Sequence, residues 1–342
     1  MTERHSDLLD LSGSAVLVTG GTGSFGRAFV STVLRDHKPR KLVIFSRDEL
    51  KQHEMRGELE GLDGAEVLRF YIGDVRDADR LEMAMRDIDI VIHAAALKHV
   101  PIAEYNPFEC IRTNVHGAEN IVNASLRTRV RKVIALSTDK AANPVNLYGA
   151  SKLAADKIFI AANNLSGADG PRFAVVRYGN VLGSRGSVLP FFRRLIAEGA
   201  TTLPITDSRM TRFWITLPQC VSFVQSCLKT MRGGELFVPK IPSMRATDLA
   251  RALAPDLEHE IVGIRPGEKL HEVLITEDEA RTARDFGDRY VIFPQFHFWS
   301  EEIDFQSGGK PVPEGFRYIS DNNDHWLTQK ELAEFVAQIS TR

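Results

Sequence analysis

Tyr148 and Lys152 are residues whose types and spacing point to chemistry. They stand four positions apart in the segment STDKAANPVNLYGASK, so on a helix they share one face. A lysine ammonium beside a phenol lowers the pKa of the phenol, and it can also hold a ribose. Thr138, at the end of an apolar run, supplies a hydroxyl that completes a hydrogen-bonding trio. Such a trio is suited to taking a proton from a hydroxyl group.

Asp139 and Lys140 follow Thr138 directly and place a carboxyl group beside an amine. As an acid and a base, they would need shifted pKa values. Burial or a neighbouring positive charge would have to lower the pKa of Lys140 from about 10.4, and the pKa of Asp139 would have to rise. The alternative is a simple ion pair, which predicts an inert bridge on the surface.

A glycine-rich turn, TGGTGSFG, follows the first apolar run and opens a helix-like stretch. Glycines there allow a tight turn, let backbone N–H groups reach a pyrophosphate and let the helix pack on the strand. A plain tight turn is the alternative, but the position between a strand and a helix favours a dinucleotide site. The residues predicted to contact the dinucleotide are Gly20, Thr22, Gly23, Ser24, Phe25 and Gly26.

The end of the second apolar run should distinguish NAD from NADP. An acidic residue there would accept a hydrogen bond from the ribose 2′-OH of NAD, but the chain has Ser46 and Arg47, with Lys51 one turn later. A hydroxyl and two cations suit a 2′-phosphate. Asp48 and Glu49 complicate this prediction, because one of them could turn inward. We therefore predict NADP, with a solvated helix start as the alternative.

Two further strand ends complete the predicted dinucleotide site. Asp74 and Val75 follow the third apolar run, where adenine would lie. Ala94 and Ala95 end the fourth run in HAAA, and their small side chains permit a ligand to approach closely.

Six apolar runs must position these residues. They are SAVLVTG, KLVIFS, VLRFYIGDV, DIVIHAAA, KVIALST and FAVVRYGNV. Helix-like stretches such as Ser24–Leu34, Asn106–Arg127 and Gly149–Leu165 lie between them. Alternation of strands and helices, with nearly continuous apolar strands, predicts an α/β fold of the Rossmann type, with a doubly wound parallel sheet.

The prolines become frequent after about residue 190 and predict a second region. We expect a dinucleotide-binding region over residues 12–190. Residues of about 213–243 would rejoin this region, because GELFVPK reads as a returning strand. Residues 191–212 and 244–330 would form a smaller α+β region that closes over a substrate. An amphipathic tail predicts a C-terminal helix within residues 331–342.

Length, charge and cysteine content exclude several classes of protein. The 342 residues exceed the size at which one core stops growing, and the net charge of −2 offers no broad footprint for nucleic acid or a membrane. The three cysteines are too few for a disulfide framework, and no cluster has the spacing of a metal site. The N-terminus lacks the apolar core of a signal peptide, so we expect a cytoplasmic protein.

Taken together, these motifs resemble the extended short-chain dehydrogenase/reductase superfamily over residues 12–330. More narrowly, FSRDELKQ, HAAALKHVP, STDKAANPVNLYGASK, TRFW and IRPGEKLHE resemble UDP-N-acetylglucosamine 4,6-dehydratases. The resemblance implies that Tyr148 starts the oxidation of C4 and that Asp139 and Lys140 then remove water across C5 and C6. It implies a UDP-sugar substrate, a tightly bound NADP that each turnover regenerates, and a homo-oligomer, either a dimer or a hexamer.

The same resemblance implies substrate contacts in the second half of the chain. Arginines would pair with the diphosphate, Met210 would face the uracil and Glu268 would accept from the uridine ribose, while Asn114 would bridge backbone behind the site. The predicted substrate contacts are Lys98, Asn180, Val188, Met210, Arg212, Arg265 and Glu268.

Several alternatives stay open at this point. Retaining dehydratases share this core but have Met at the position of Tyr148, and the stretch PVPEGFRYISDNNDHWLT is similar to the soluble inverting enzymes of pseudaminic acid biosynthesis. We therefore expect inversion at C5. A UDP-hexose 4-epimerase would not need Asp139 and Lys140, and a non-catalytic NADP-binding sensor would not need the trio.

Overall fold

The six apolar runs form neighbouring parallel strands in the computed structural model, which describes residues 10–184, 186–295, 308–328, 330–332 and 334. Within these residues the largest sheet has ten strands in the order β16-β14-β15-β10-β6-β5-β4-β1-β2-β3, with the elements bounded as follows. The strands are β1 Ala15–Thr19, β2 Lys41–Ser46, β3 Leu68–Ile72, β4 Ile90–His93, β5 Lys132–Thr138, β6 Arg172–Tyr178, β7 Asn180–Val181, β8 Thr202–Ile205, β9 Thr211–Ile215, β10 Leu236–Pro239, β11 Ser243–Arg245, β12 Glu258–Ile261, β13 Val273–Ile275, β14 Ala283–Asp285, β15 Arg289–Ile292, β16 Lys310–Pro311 and β17 Tyr318–Ile319. The helices are α1 Ser24–Asp36, α2 Glu49–Leu59, α3 Ala78–Ala84, α4 Val100–Tyr105, α5 Pro107–Ile111, α6 Gly117–Arg127, α7 Leu147–Ala161, α8 Asn163–Ser166, α9 Val188–Ala197, α10 Leu217–Thr230, α11 Ala246–Leu253 and α12 Glu277–Ala280.

The order β3-β2-β1-β4-β5-β6 is that of a dinucleotide-binding sheet, with its switch point between β1 and β4. All five residues of β1 are buried, and β2 and β5 are buried apart from their first residue. Such runs are continuous because helices cover both faces of the sheet, so neither face needs polar side chains. The predicted Rossmann-type α/β fold is confirmed.

The predicted helix over Asn106–Arg127 is divided by a π-helical segment at Arg112–His116. Asn114 lies in this segment, where its amide accepts from Leu97 N at 2.8 Å and donates to Leu97 O at 3.0 Å and Ser151 Oγ at 2.9 Å. The widened turn therefore lets Asn114 bridge the backbone behind the site, as predicted.

The second half of the chain both rejoins the main sheet and builds smaller sheets. The segment predicted as a returning strand contains β10, which pairs with β6 in parallel, Leu236 opposite Val175. The main sheet also includes β14, β15 and β16, whose residues the sequence predicts in the substrate region. The remaining strands form the sheets β11-β9-β7, β12-β8 and β13-β17.

The predicted C-terminal helix lies mostly outside the described residues, of which 330–332 and 334 are helical. None of the helices in the part of the chain that the structure describes is long and apolar enough to cross a bilayer.

Candidate active site

A cavity of about 670 Å³ lies along the carboxyl ends of the parallel strands. Every residue that the sequence predicts for dinucleotide binding lines it. These residues are Gly20, Thr22, Gly23, Ser24, Phe25, Gly26, Ser46, Arg47, Lys51, Asp74, Val75, Ala94, Ala95, Tyr148 and Lys152.

The glycine-rich turn forms a close-packed cradle between β1 and α1. Gly20 has a φ of +64°, and a Cβ atom there would lie 2.9 Å from Ala95 Cα. A Cβ atom on Gly26 would lie 2.4 Å from Gly21 O, so the helix could not pack on the turn. Gly23 caps α1 without a side-chain acceptor for the first-turn N–H groups. These features fit a pyrophosphate at the helix N-terminus.

A buried hydrogen-bond chain holds the Ala94–Ala95 turn against the cradle. The Thr19 hydroxyl accepts from the N–H groups of Ala94 at 3.2 Å and Ala95 at 3.3 Å. It lies 2.8 Å from His93 Nδ1. Burial lowers the pKa of His93 to about 3, so the ring is neutral and Nδ1 accepts the hydroxyl proton.

The residues predicted to select the dinucleotide lie at the far end of this cavity. Arg47 is half exposed, and its Nη1 lies 3.5 Å from Asp74 Oδ2. Asp48 does not turn inward, because its carboxylate accepts from Lys51 N at 3.0 Å and pairs with Lys51 Nζ. The carboxylate of Asp48, two residues after Ser46 in the chain, therefore caps the N-terminus of α2.

Tyr148, Lys152 and Thr138 meet at the end of β5, as their spacing predicts. Thr138 and Tyr148 are joined by a hydrogen bond, and Lys152 Nζ donates to Leu136 O at 2.7 Å. Burial raises the pKa of Tyr148 to about 12, although Lys140 and the hydrogen bond oppose this shift. The predicted lowering of the phenol pKa is thus wrong, because desolvation dominates.

Asp139 is buried and the Lys140 side chain is 25% exposed, so the pair is not the inert bridge on the surface that the alternative predicts. Lys140 Nζ lies 2.9 Å from Asp139 Oδ1 and 3.3 Å from Asn180 Oδ1. Burial raises the pKa of Asp139, as predicted, with Lys140 opposing the shift and Glu272 adding to it. Burial would lower the pKa of Lys140, but Asp139 and Glu272 outweigh it and raise this pKa. The predicted neutral lysine is therefore wrong, and Lys140 is an ammonium here.

Glu272 is the site residue that the sequence reasoning missed. Its side chain is 2% exposed, and Oε1 lies 3.3 Å from Lys140 Nζ. Burial opposes ionisation, but Lys140 and Arg212 lower the pKa of Glu272 below its ordinary value. The signal was a carboxylate directly before the apolar strand β13, where a buried charge needs a partner.

The predicted catalytic residues are brought together by the packing of α7 against the 3₁₀ turn Asp139–Ala141. Thr138 caps this turn by accepting from Lys140 N at 3.4 Å, and Asn146 caps α7 by accepting from Gly149 N at 2.8 Å. A Cβ atom on Gly149 would lie only 2.1 Å from Lys140 O. The absence of a side chain at Gly149 therefore lets the helix that carries Tyr148 contact the turn.

A second cavity, of about 770 Å³, lies between the parallel sheet and the second half of the chain. Lys98 lines the first cavity instead, and Lys140 and Asn180 line both. The other predicted substrate residues line the second cavity: Val188, Met210, Arg212, Arg265 and Glu268.

The side chain of Arg212 is held by groups of the second region. Nη1 donates to Leu270 O at 3.1 Å, Nη2 lies 2.9 Å from Met210 Sδ, and Nε lies 3.5 Å from Glu272 Oε1.

In the described part of the chain, no group of three His, Cys, Asp or Glu side chains could hold a metal ion.

Comparison with known proteins agrees with this geometry. Residues 16–294 match the family described as polysaccharide biosynthesis protein. A Campylobacter jejuni relative named UDP-N-acetylglucosamine 4,6-dehydratase (inverting) is 57% identical over 326 residues, which cover 94% of this chain and 96% of the relative.

Two further similarities cover nearly the whole chain. A Rickettsia canadensis relative named UDP-glucose 4-epimerase is 42% identical over 95% of this chain and 96% of its own. The X-ray structure of Pen from Bacillus thuringiensis is 35% identical, with a TM-score of 0.87 over 97% of this chain and 99% of that chain.

Proposed function

Because the chain belongs to the polysaccharide biosynthesis protein family, within the extended short-chain dehydrogenase/reductase superfamily, we propose that it is a UDP-N-acetylglucosamine 4,6-dehydratase that inverts C5. The observation that carries this proposal is the ion pair between the buried Asp139 and Lys140, beside Tyr148. Lys140 lines both cavities, so an acid–base pair lies where a dinucleotide and a sugar would meet.

The first chemical step is the oxidation of C4 to a ketone, in which Tyr148, after releasing its own phenolic proton to solvent, takes the proton of the O4 hydroxyl as a phenolate. Thr138 is hydrogen-bonded to the phenol and positions it. When bound, the dinucleotide supplies the hydride acceptor for C4 and the hydride donor for C6. The ketone acidifies the C5 proton and makes the C6 hydroxyl a β leaving group.

The second step, elimination, needs one proton shift within the pair. The Lys140 ammonium gives a proton to the Asp139 carboxylate across 2.9 Å, which breaks an N–H bond, forms an O–H bond and leaves the charge of the pair unchanged. The free amine then takes the C5 proton, the electron pair forms the C5–C6 double bond, and O6 leaves with the Asp139 proton as water. A proton delivered to the opposite face of C5 gives the inverted product.

We propose NADP as the dinucleotide. Ser46, Arg47 and Lys51 line the cavity where the ribose phosphate would lie, while the Asp48 carboxylate is occupied by the α2 cap. A planar guanidinium is the best partner for a phosphate. We likewise propose that Arg212 and Arg265 bind the diphosphate, with Met210 at the uracil and Glu268 at the ribose.

A UDP-hexose 4-epimerase is the second candidate, favoured by the Rickettsia relative. It would oxidise C4 and return the hydride to the opposite face of C4, without an acid and a base at C5 and C6. The Asp139–Lys140 pair would then have no role in catalysis. The homo-oligomer implied by the resemblance stays a prediction.

NMR of the purified protein with UDP-GlcNAc in D2O, without added dinucleotide, tests the function. We expect a 4-keto-6-methyl sugar deuterated at C5, with L-arabino couplings, and NADP on extraction of the protein. Tyr148→Phe is the control and should give neither product nor exchange. D-xylo couplings would mean a retaining enzyme, and formation of UDP-GalNAc would mean an epimerase. Substrate that stays unchanged even after NADP is added would mean a sensor. Extracted NAD would overturn the choice of dinucleotide.

A further inference from the structure

Glu272 is a buried carboxylate in contact with the acid–base pair, and neither the motifs nor the proposed mechanism gives it a role. Its Oε1 lies 3.3 Å from Lys140 Nζ and 3.5 Å from Arg212 Nε, and the residue lines the second cavity. A third ionisable group therefore faces the amine that must release and take up a proton.

The backbone around Glu272 is fixed from two sides. Glu272 N donates to Ser320 Oγ, and Ser320 N donates to Glu272 O, both at 2.9 Å. Lys269, three residues earlier, donates through Nζ to Ala142 O at 2.6 Å, directly after the turn that carries Asp139 and Lys140. The segment is thus bound to the catalytic turn itself, which sets the distance between Glu272 and Lys140.

We propose that Glu272 is a positioning residue for the elimination step, holding Lys140 Nζ against Asp139 and Asn180 and balancing the charge of the cluster. This inference rests on the proposed dehydratase function. Two carboxylates and two cations alternate in the order Asp139, Lys140, Glu272 and Arg212. Without the carboxylate of Glu272, the cations of Lys140 and Arg212 would repel each other, and the amine would move away from Asp139.

Two buried oxygens support this arrangement. Asp139 Oδ2 and Glu272 Oε2 are shielded from solvent and have no hydrogen-bond partner among the described residues. A buried carboxylate oxygen without a donor is unfavourable, so each of these carboxyl groups has a site at which a proton is stabilised.

The charge of Glu272 acts on both members of the pair in the same direction. It raises the pKa of Lys140 and the pKa of Asp139, so its removal should lower both values. The titratable groups that face Lys140 from the elements around it are Asp139, Glu272, Arg212, Lys98, Lys269 and Tyr148.

The pH dependence of kcat tests the inference with Glu272→Gln, Glu272→Asp and the matched control Glu258→Gln, at an exposed position of β12. For Glu272→Gln we expect kcat to fall about tenfold or more, with both limbs of the pH profile displaced to lower pH by about 1–3 units. Glu272→Asp keeps the charge, so its limbs should return towards those of the wild type. Limbs that stay in place in Glu272→Gln overturn the inference.

A measurement without substrate separates this inference from the proposed function. The Lys140 amine is followed by NMR of protein with ¹³C-labelled lysine, assigned with Lys140→Arg. Lys140 should remain an ammonium beyond the ordinary lysine pKa of about 10.4 in the wild type and deprotonate at lower pH in Glu272→Gln. Identical titrations overturn the role of Glu272. A shifted titration in a protein that does not dehydrate UDP-GlcNAc overturns the proposed reaction instead.

Discussion

At the scale of single residues, Asp139 and Lys140 form an ion pair in which Oδ1 and Nζ lie 2.9 Å apart. Burial raises the pKa of the carboxyl group, while the two neighbouring carboxylates raise the pKa of the amine. In this ion pair, neither residue has the protonation state that the proposed elimination needs. A single proton transfer within the pair produces both reactive forms at once, so the resting ion pair and the acid–base pair are two states of the same site.

Asp139→Asn tests the role of the carboxyl group as the acid. The amide keeps the shape but cannot protonate O6, so dehydration should fall by about 10²–10⁴-fold. NADP content should be unchanged, because Asp139 does not line the first cavity. Product formation measured by NMR, with the exposed Asp63→Asn as the matched control, checks this. Dehydration within about twofold of the wild type would exclude Asp139 as the acid.

The sequence predicted residues that the structure places beside one another, but it did not predict the raised pKa of Lys140. Types and spacing were sufficient for Thr138, Tyr148 and Lys152, because strand β5 and helix α7 bring them together locally. The adjacent Asp139 is the larger cause of the raised pKa of Lys140, but Glu272, which is distant in the chain and lies directly before β13, adds to it. A local pattern contains no information about such a contact.

At the scale of elements, the site depends on how closely α7 approaches the 3₁₀ turn of Asp139–Ala141. Gly149→Ala would place a Cβ atom 2.1 Å from Lys140 O, so the turn would have to shift away from the helix. We expect kcat to fall by about 10²-fold, because small displacements of reacting groups have effects of this size.

Gly57→Ala is the matched control for this prediction, since a Cβ atom at that helical position meets nothing within 4 Å. It should leave kcat unchanged and stabilise α2 by up to about 1 kcal/mol. Steady-state kinetics and urea unfolding of both variants check the expectation. Wild-type kcat in a folded Gly149→Ala protein would contradict it.

Secondary structure was predictable where elements are buried on both sides and less so elsewhere. The apolar runs predicted as strands coincide with strands of the parallel sheet, because a parallel strand between two helix layers must be apolar throughout. The helix over Asn106–Arg127 was predicted without its π-helical segment, in which Asn114 bonds to Leu97 and Ser151. The short antiparallel strands β14 and β16 were missed, because they include partly exposed or exposed charged residues.

At the scale of the whole molecule, Arg177 links the dinucleotide-binding sheet to the C-terminal part of the chain. Its guanidinium is 1% exposed and lies 3.3 Å from Asp156 Oδ2 on α7. It also donates to Glu279 Oε1 at 2.9 Å and to Leu274 O at 3.1 Å. Leu274 lies in β13, the strand that directly follows Glu272. One buried cation thus connects the helix of Tyr148 with the segment that completes the second cavity.

Arg177→Met should destabilise the protein by about 3–5 kcal/mol, because it leaves the buried Asp156 carboxylate without its cation. Burial raises the pKa of Asp156 and Arg177 opposes this, so the folded variant should hold a proton there that the unfolded chain releases near pH 4. The difference in free energy of unfolding between the wild type and the variant should therefore grow as the pH rises from about 5 towards 7. Urea unfolding at both pH values, with the exposed Arg209→Met as a control, measures it. A deficit that is the same at both pH values would mean that Arg177 acts by packing and not by its charge.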